Sequence, residues 1–244
     1  MRIRRKAAVA KPITKQLEME FRQHGGKRKG AGRKKHRQNC INHVKRSELS
    51  GREPIGITLK LISGLPSIRT PMIMVALARA MRLARRFGMS VIHFDVQSNH
   101  IHLIVEAASK ATLTRGMRSL TTSLARAVHR FIGFGFCGQV LKGRYHAHVL
   151  KTPTEVKRAL RYVIFNLAKH KSCSAFVDPY SSVFTFEGVG GIVTAAEYER
   201  MRGDLKRRPS WYGPIADALA NASTFLLAIG WRKSKATVTD AWKA

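Results

Sequence analysis

The chain has 244 residues and carries 45 Lys and Arg against 14 Asp and Glu, a formal net charge of +31. With 44% apolar residues it can bury one core of ordinary size, yet no run approaches the ~18 apolar residues that span a bilayer, which excludes a helical membrane protein. A cation excess of this size makes nucleic acid the expected partner, bound in a strongly salt-dependent way.

The charge is uneven along the chain. Residues 1–47 hold 16 basic and 2 acidic side chains, residues 48–171 hold 20 and 5, and residues 172–244 hold 9 and 7. The last third is therefore nearly neutral. Cys40, Cys137 and Cys173 form no CxxC pair, which argues against a disulfide scaffold or structural zinc and fits a reducing cytoplasm. No apolar stretch follows the basic start Met1–Lys11, so no secretory signal is expected and the location read from the sequence is cytoplasmic.

Residues 1–47 lack apolar periodicity and read as a flexible basic DNA-binding arm. Within it, the Gly-rich run Gly25–Lys35 carries Lys27, Arg28, Lys29 and Arg33, suited to phosphates or a minor groove. Ordered structure is expected from Pro54. Ile55, Ile57, Leu59 and Leu61 alternate with Gly56, Thr58 and Lys60, the pattern of a half-buried strand. Thr70-Pro71 places an N-cap and a first-turn proline before a helix that ends near Gly88. Ser90–Val96, the tight turn Gln97-Ser98-Asn99 and His100–Glu106 predict a hairpin.

A second helix is predicted over about Thr112–Phe131, with Met117, Leu120, Leu124 and Val128 on one face. The glycine-rich Gly133–Gly138 is a loop, and Tyr145–Lys151 is a fourth strand. Thr152 and Glu155 have capping-box spacing around Pro153 and open a third helix that runs to about Lys171. The first six elements have the βαββαβ pattern of a ferredoxin-like fold. The fold class expected is α+β: a ferredoxin-like βαββαβ sandwich with a C-terminal helix, over residues 48–172. Residues 173–244 form a C-terminal extension, whose apolar Phe225–Trp231 either docks on the core or lends rings for base stacking.

Alternation in a strand puts His100 and His102 on one face, with Ile101, Leu103 and Val105 behind them. Two imidazoles so placed can chelate one divalent ion. On the third helix Val156, Leu160, Val163 and Leu167 form the buried stripe, while Tyr162 and Asn166, four apart, share an offset face with Arg158 and Lys169. A phenol, an amide and two cations suit a phosphate-handling site. His146-Ala147-His148 is a second HxH, weaker because Ala147 anchors a strand less well than Ile101. Tyr145 is the competing nucleophile.

In order and spacing these motifs resemble the single-tyrosine HUH transposases, and within them the REP-associated tyrosine transposases. The resemblance is carried by His100-Ile101-His102 after a short hairpin and by Tyr162-Val-Ile-Phe-Asn166 on a late helix. Gly25–Lys35, Gly64–Arg69, Val96–His102, Arg144–Ala147, Thr152-Pro153 and Ala228–Arg232 add to it. Gln97-Ser98 stands where many relatives carry Met-Pro, and Asn166 where some branches carry Gln.

The resemblance implies a Mg²⁺- or Mn²⁺-dependent transesterase that nicks and rejoins single-stranded or hairpin DNA, acting as a monomer or homodimer with no membrane partner. His100, His102 and Asn166 would bind the metal and Tyr162 would form a 5′-phosphotyrosine. Arg144, His146, Arg158 and Lys169 would contact DNA beside the arm. At pH 7 only about one phenol in a thousand is ionised, a cost of ~4 kcal/mol that a nearby cation would offset in part. The rival readings are a non-catalytic, domesticated DNA-binding protein or regulator on the same fold, and a basic RNA-binding or ribosome-associated protein.

Overall fold

In the computed structural model, residues 48–133, 136–170 and 177–234 are described, the side chains of 167–170 excepted. The expected arm 1–47 and the Lys169 side chain lie outside these residues. Four strands form one sheet: β1 (Ile55–Lys60), β2 (Met89–Val96), β3 (His100–Ala107) and β4 (His146–Val149). Their spatial order is β2-β3-β1-β4, with every neighbouring pair antiparallel. This is the ferredoxin-like arrangement that the element order predicts.

The helices α1 (Pro71–Arg85) and α2 (Lys110–Ile132) cover one sheet face. Thr70 caps α1 by accepting from the Ile73 amide, with Pro71 in the first turn, and Ser109 caps α2 in the same way through the Thr112 amide. Ile55, Ile57, Leu59, Ile101, Leu103, Val105 and Phe94 point into this core against Leu77, Met81, Leu120 and Leu124. At Gly116 of α2 an added Cβ would lie 2.3 Å from the Met89 Cβ, so the helix approaches β2 more closely than any other residue permits.

α3 (Pro153–His170) lies across the opposite face. Its capping box is closed in both directions: the Glu155 amide donates to Thr152 Oγ1 at 3.2 Å, and the Thr152 amide donates to Glu155 Oε2 at 3.1 Å. Val156, Leu160, Val163, Ile164 and Phe165 build a second core with Ile92, Ile104 and Leu150. The backbone leaves helical geometry at Phe165 (φ −117°, ψ 19°), so Tyr162 and Asn166 are separated by a kink rather than by a regular turn.

Residues 177–234 fold onto the same sheet. α4 (Ala195–Leu205) is joined to α3 by Arg161, which donates to Ile192 O at 2.6 Å and to Glu197 Oε1 at 3.0 Å. Arg69 donates to Asp178 through two nitrogens, at 2.7 and 3.0 Å, and to Val96 O at 2.6 Å. Buried Glu106 of β3 accepts from the backbone amides and hydroxyls of Ser223 and Thr224. The stretch Phe225–Trp231 is not one helix: a single turn (Phe225–Ala228) is followed by a 3₁₀ turn (Gly230–Lys233). Leu227 and Trp231 are buried in the second core, so docking, not base stacking, describes Trp231. Among the described residues no helix is long and apolar enough to cross a membrane.

Candidate active site

The face of the sheet beneath α3 carries a row of polar side chains set by strand register. Asp95 of β2 pairs with His102 of β3, His102 with Thr58 of β1, and Thr58 with His146 of β4. One step along, His100 pairs with Lys60. The hairpin tip that presents the two histidines is pinned. The Gln97 amide donates to His100 O at 2.8 Å, Leu61 N donates to Asn99 O at 2.8 Å, and Ile68 N to Ser98 O at 3.1 Å.

The two imidazoles meet edge to face, their centroids 4.8 Å apart. His102 Nδ1 lies 3.1 Å from Thr58 Oγ1 and its Nε2 lies 3.3 Å from the Tyr162 hydroxyl, whose ring stands at 85° to the imidazole. With Nδ1–H donating to Thr58, Nε2 presents its lone pair toward Tyr162, the tautomer a metal ligand requires. His100 Nδ1 lies 2.8 Å from Asn99 Oδ1.

Asn166 is fully buried. Its Nδ2 donates to Asp95 Oδ2 at 2.9 Å, and its Oδ1 is buried with no hydrogen-bond partner among the described residues. An orphaned amide oxygen in a folded interior is costly and calls for an explanation. A cation would satisfy it. Two neutral imidazoles and an amide oxygen are a workable donor set for a divalent ion, so these residues fit the metal that the resemblance implies. Among the described residues no cluster of three or more His, Cys, Asp or Glu side chains forms an alternative centre.

Asp95 is the electrostatic focus. Burial pushes its carboxyl up to about 7, against the lowering effect of hydrogen bonds from Asn166 and Gln97. Burial, and then the Asp95 charge, also push the Tyr162 phenol above its ordinary value. The protein alone thus disfavours the phenolate.

The sequence-predicted residues sort clearly. His100, His102, Tyr162 and Asn166 converge. Arg158 lies one turn before Tyr162 on α3, its Nε buried without a hydrogen-bond partner among the described residues. His146 is exposed on the same face, two strands from His102, and Arg144 is exposed just before β4. Lys27, Arg28, Lys29, Arg33 and the Lys169 side chain lie outside the described residues. Of the competing readings, His148 faces Glu155 of α3 at 3.5 Å. Tyr145 packs with the α1/α2 core, on the far side of the sheet from the histidines. Thr58, Lys60 and Asp95 escape the sequence reading, because it is strand register that aligns them with the histidines.

The fold and the site define an α+β protein in which a late helix sets a Tyr and an Asn over a sheet face that carries two histidines. Over Ile73–Ile132, about a quarter of its length, the chain matches the family model described as "Transposase IS200 like". That segment takes in most of α1, all of β2, β3 and α2, and both site histidines, and it stops short of Tyr162. The chain is similar to these transposases there. A solved structure of a REP-associated tyrosine transposase bound to a REP hairpin is also similar, at 16% identity and a TM-score of 0.48, covering 58% of this chain and 82% of that one. No curated protein matches the chain.

Proposed function

We propose that the chain is a transposase-type DNA enzyme that cuts and rejoins single-stranded or hairpin DNA through a covalent link to Tyr162. The observation that carries this reading is the Tyr162 hydroxyl set 3.3 Å from His102 Nε2.

Tyr162 Oη gives up its proton and attacks the phosphorus of the scissile diester. The bond from phosphorus to the 3′ oxygen breaks, that oxygen takes a proton and leaves as a 3′-hydroxyl, and the 5′ side stays on Tyr162 as a phosphotyrosine ester. A 3′-hydroxyl attacking the ester reverses the step, and because the bond energy is retained no ATP is needed. His100, His102 and Asn166 would hold a divalent ion, Mg²⁺ or Mn²⁺, which would supply Lewis-acid polarisation of the phosphate. Thr58 orients His102, Asp95 orients Asn166, and the pinned Gln97–His100 turn fixes the strand that carries both histidines. Exposed Lys60 beside His100, with Arg158 before Tyr162, is placed for the phosphates on either side. The basic arm, Arg144, His146 and Lys169 add sequence-independent affinity.

The test is incubation with single-stranded hairpin oligonucleotides and Mn²⁺, followed by a denaturing gel. A metal-dependent, denaturant-resistant protein–DNA band is expected. Binding without such a band identifies a non-catalytic DNA-binding protein instead.

A further inference from the structure

β2 lies at one end of the sheet order, so the amides along its outer side need partners from beyond the sheet. Residues 180–182 supply them. The Val96 amide donates to Tyr180 O at 2.9 Å, the Phe94 amide donates to Ser182 Oγ at 3.2 Å, and Asp95 forms an antiparallel bridge with Ser181. This short piece of chain is itself fixed. The Tyr212 hydroxyl donates to Ser181 O at 2.8 Å, and the Tyr180 ring packs at a tilt on Trp211, centroids 5.2 Å apart.

Asp178 joins that edge to the turn that leads into β3. Its carboxylate accepts from the Tyr180 amide at 2.9 Å and from two nitrogens of Arg69, whose guanidinium also covers the Tyr180 ring at 4.5 Å. With side chains only 15% and 2% exposed, Arg69 and Asp178 are screened little by solvent, unlike a surface ion pair. The same Arg69 Nη1 donates to Val96 O at 2.6 Å, and the neighbouring Ile68 amide donates to Ser98 O at 3.1 Å. Two consecutive residues therefore grip the turn, at Val96 and at Ser98, and Asp178 aligns the guanidinium that does so. On one side of the turn stands Asp95, which accepts from Gln97 and Asn166. On the other stands His100, followed by His102.

We infer that Arg69 and Asp178 are positioning residues of the proposed metal site. Their ion pair sets the Val96–Asn99 turn. Through the turn it sets both the carboxylate that holds Asn166 and the start of the strand that presents His100 and His102. Residues 178–182 then belong to the framework of the site rather than to a separable extension. The inference deepens the proposed function and rests on it in taking these three side chains as the metal ligands.

The test compares two like substitutions in the full chain. Asp178→Asn and Glu106→Gln each replace a buried carboxylate that tethers residues 177–234 by its isosteric amide, the first beside the turn and the second near the far end of β3. Amide hydrogen exchange is followed by NMR without metal, Mn²⁺ affinity is measured by titration with a DNA hairpin present, and thermal melts check that both variants fold. The amides of Leu61, Ile68 and Gln97 donate to Asn99, Ser98 and His100, so they report on the turn. In Asp178→Asn they should exchange at least about tenfold faster relative to the slowest core amides, and Mn²⁺ affinity should fall about tenfold or more. Glu106→Gln should keep both within about twofold of wild type. Arg69→Lys, whose ammonium can stand between Val96 O and Asp178 as Nη1 does, should keep both within about threefold. Equal effects of Asp178→Asn and Glu106→Gln would overturn the inference, as would unchanged Mn²⁺ affinity in Asp178→Asn, with or without faster exchange. A wild-type chain that binds no Mn²⁺ would instead contradict the proposed metal site, and the metal-free exchange comparison would still decide whether the pair sets the turn.

Discussion

Asn166 donates its amide hydrogen to Asp95 at 2.9 Å, and its other amide atom, the oxygen, is buried with no hydrogen-bond partner among the described residues. The amide is held by Asp95 on β2, whose register partner on β3 is His102.

Removing the Asp95 carboxylate should therefore release Asn166. Asp95→Ala is expected to weaken Mn²⁺ binding about 10–100-fold, the usual cost of losing an orienting partner behind a metal ligand. Asp95→Asn, which can still accept through its oxygen, should retain most of the affinity. Isothermal titration with Mn²⁺ in the presence of hairpin DNA reads both. Equal behaviour of the two variants would show that Asp95 acts by charge rather than by orientation.

The two HxH pairs should differ. His100→Ala or His102→Ala is expected to abolish adduct formation, and His148→Ala to leave it within about threefold, since His148 faces Glu155 and solvent. Gel quantification of the covalent species decides it. Loss in His148→Ala equal to that in His102→Ala would move the site.

Much of the fold is local in origin and legible from the sequence. The Thr70 and Thr152 caps, the hairpin before His100 and the face alternation of β1 and β3 depend on neighbours in the chain. The βαββαβ order then leads to the observed sheet. Strand ends are less legible. β4 is only His146–Val149, because it is an edge strand that pairs with just four residues of β1. Asp95, Thr58 and Lys60 become site residues only through cross-strand register. Arg69 and Glu106 become tethers of residues 177–234 only through partners more than a hundred residues away. An acidic residue in a mostly apolar strand, Asp95 in β2, is the available signal. No proline or glycine marks the kink at Phe165.

Glu106 should hold the C-terminal segment in place. Glu106→Ala leaves the amides and hydroxyls of Ser223 and Thr224 without their acceptor, and a loss of about 2–4 kcal/mol is expected. Limited proteolysis should speed up between residues 205 and 234. An unchanged digestion pattern would mean that the cores around Tyr212 and Trp231 anchor the segment alone.

His93 predicts a pH window. Burial beside Ser182 lowers its imidazole from 6.5 to about 4. The folded value lies below the unfolded one, so the unfolded chain takes up a proton first as the pH falls. Stability is full above about 6.5 and declines toward 4, by about 3 kcal/mol from this group. Urea denaturation at pH 7 and pH 4.5 should show a smaller drop for His93→Gln than for wild type. Parallel losses in the two proteins would exclude His93 as the source.

The central claim is that Tyr162 carries the DNA, and the most direct measurement is mass spectrometry of the covalent species after digestion of protein and DNA. The account predicts a nucleotide on the peptide containing Tyr162, no adduct in Tyr162→Phe despite DNA affinity within about twofold of wild type, and a normal adduct in Tyr145→Phe. A nucleotide on Tyr145, or a denaturant-resistant adduct persisting in Tyr162→Phe, would contradict it.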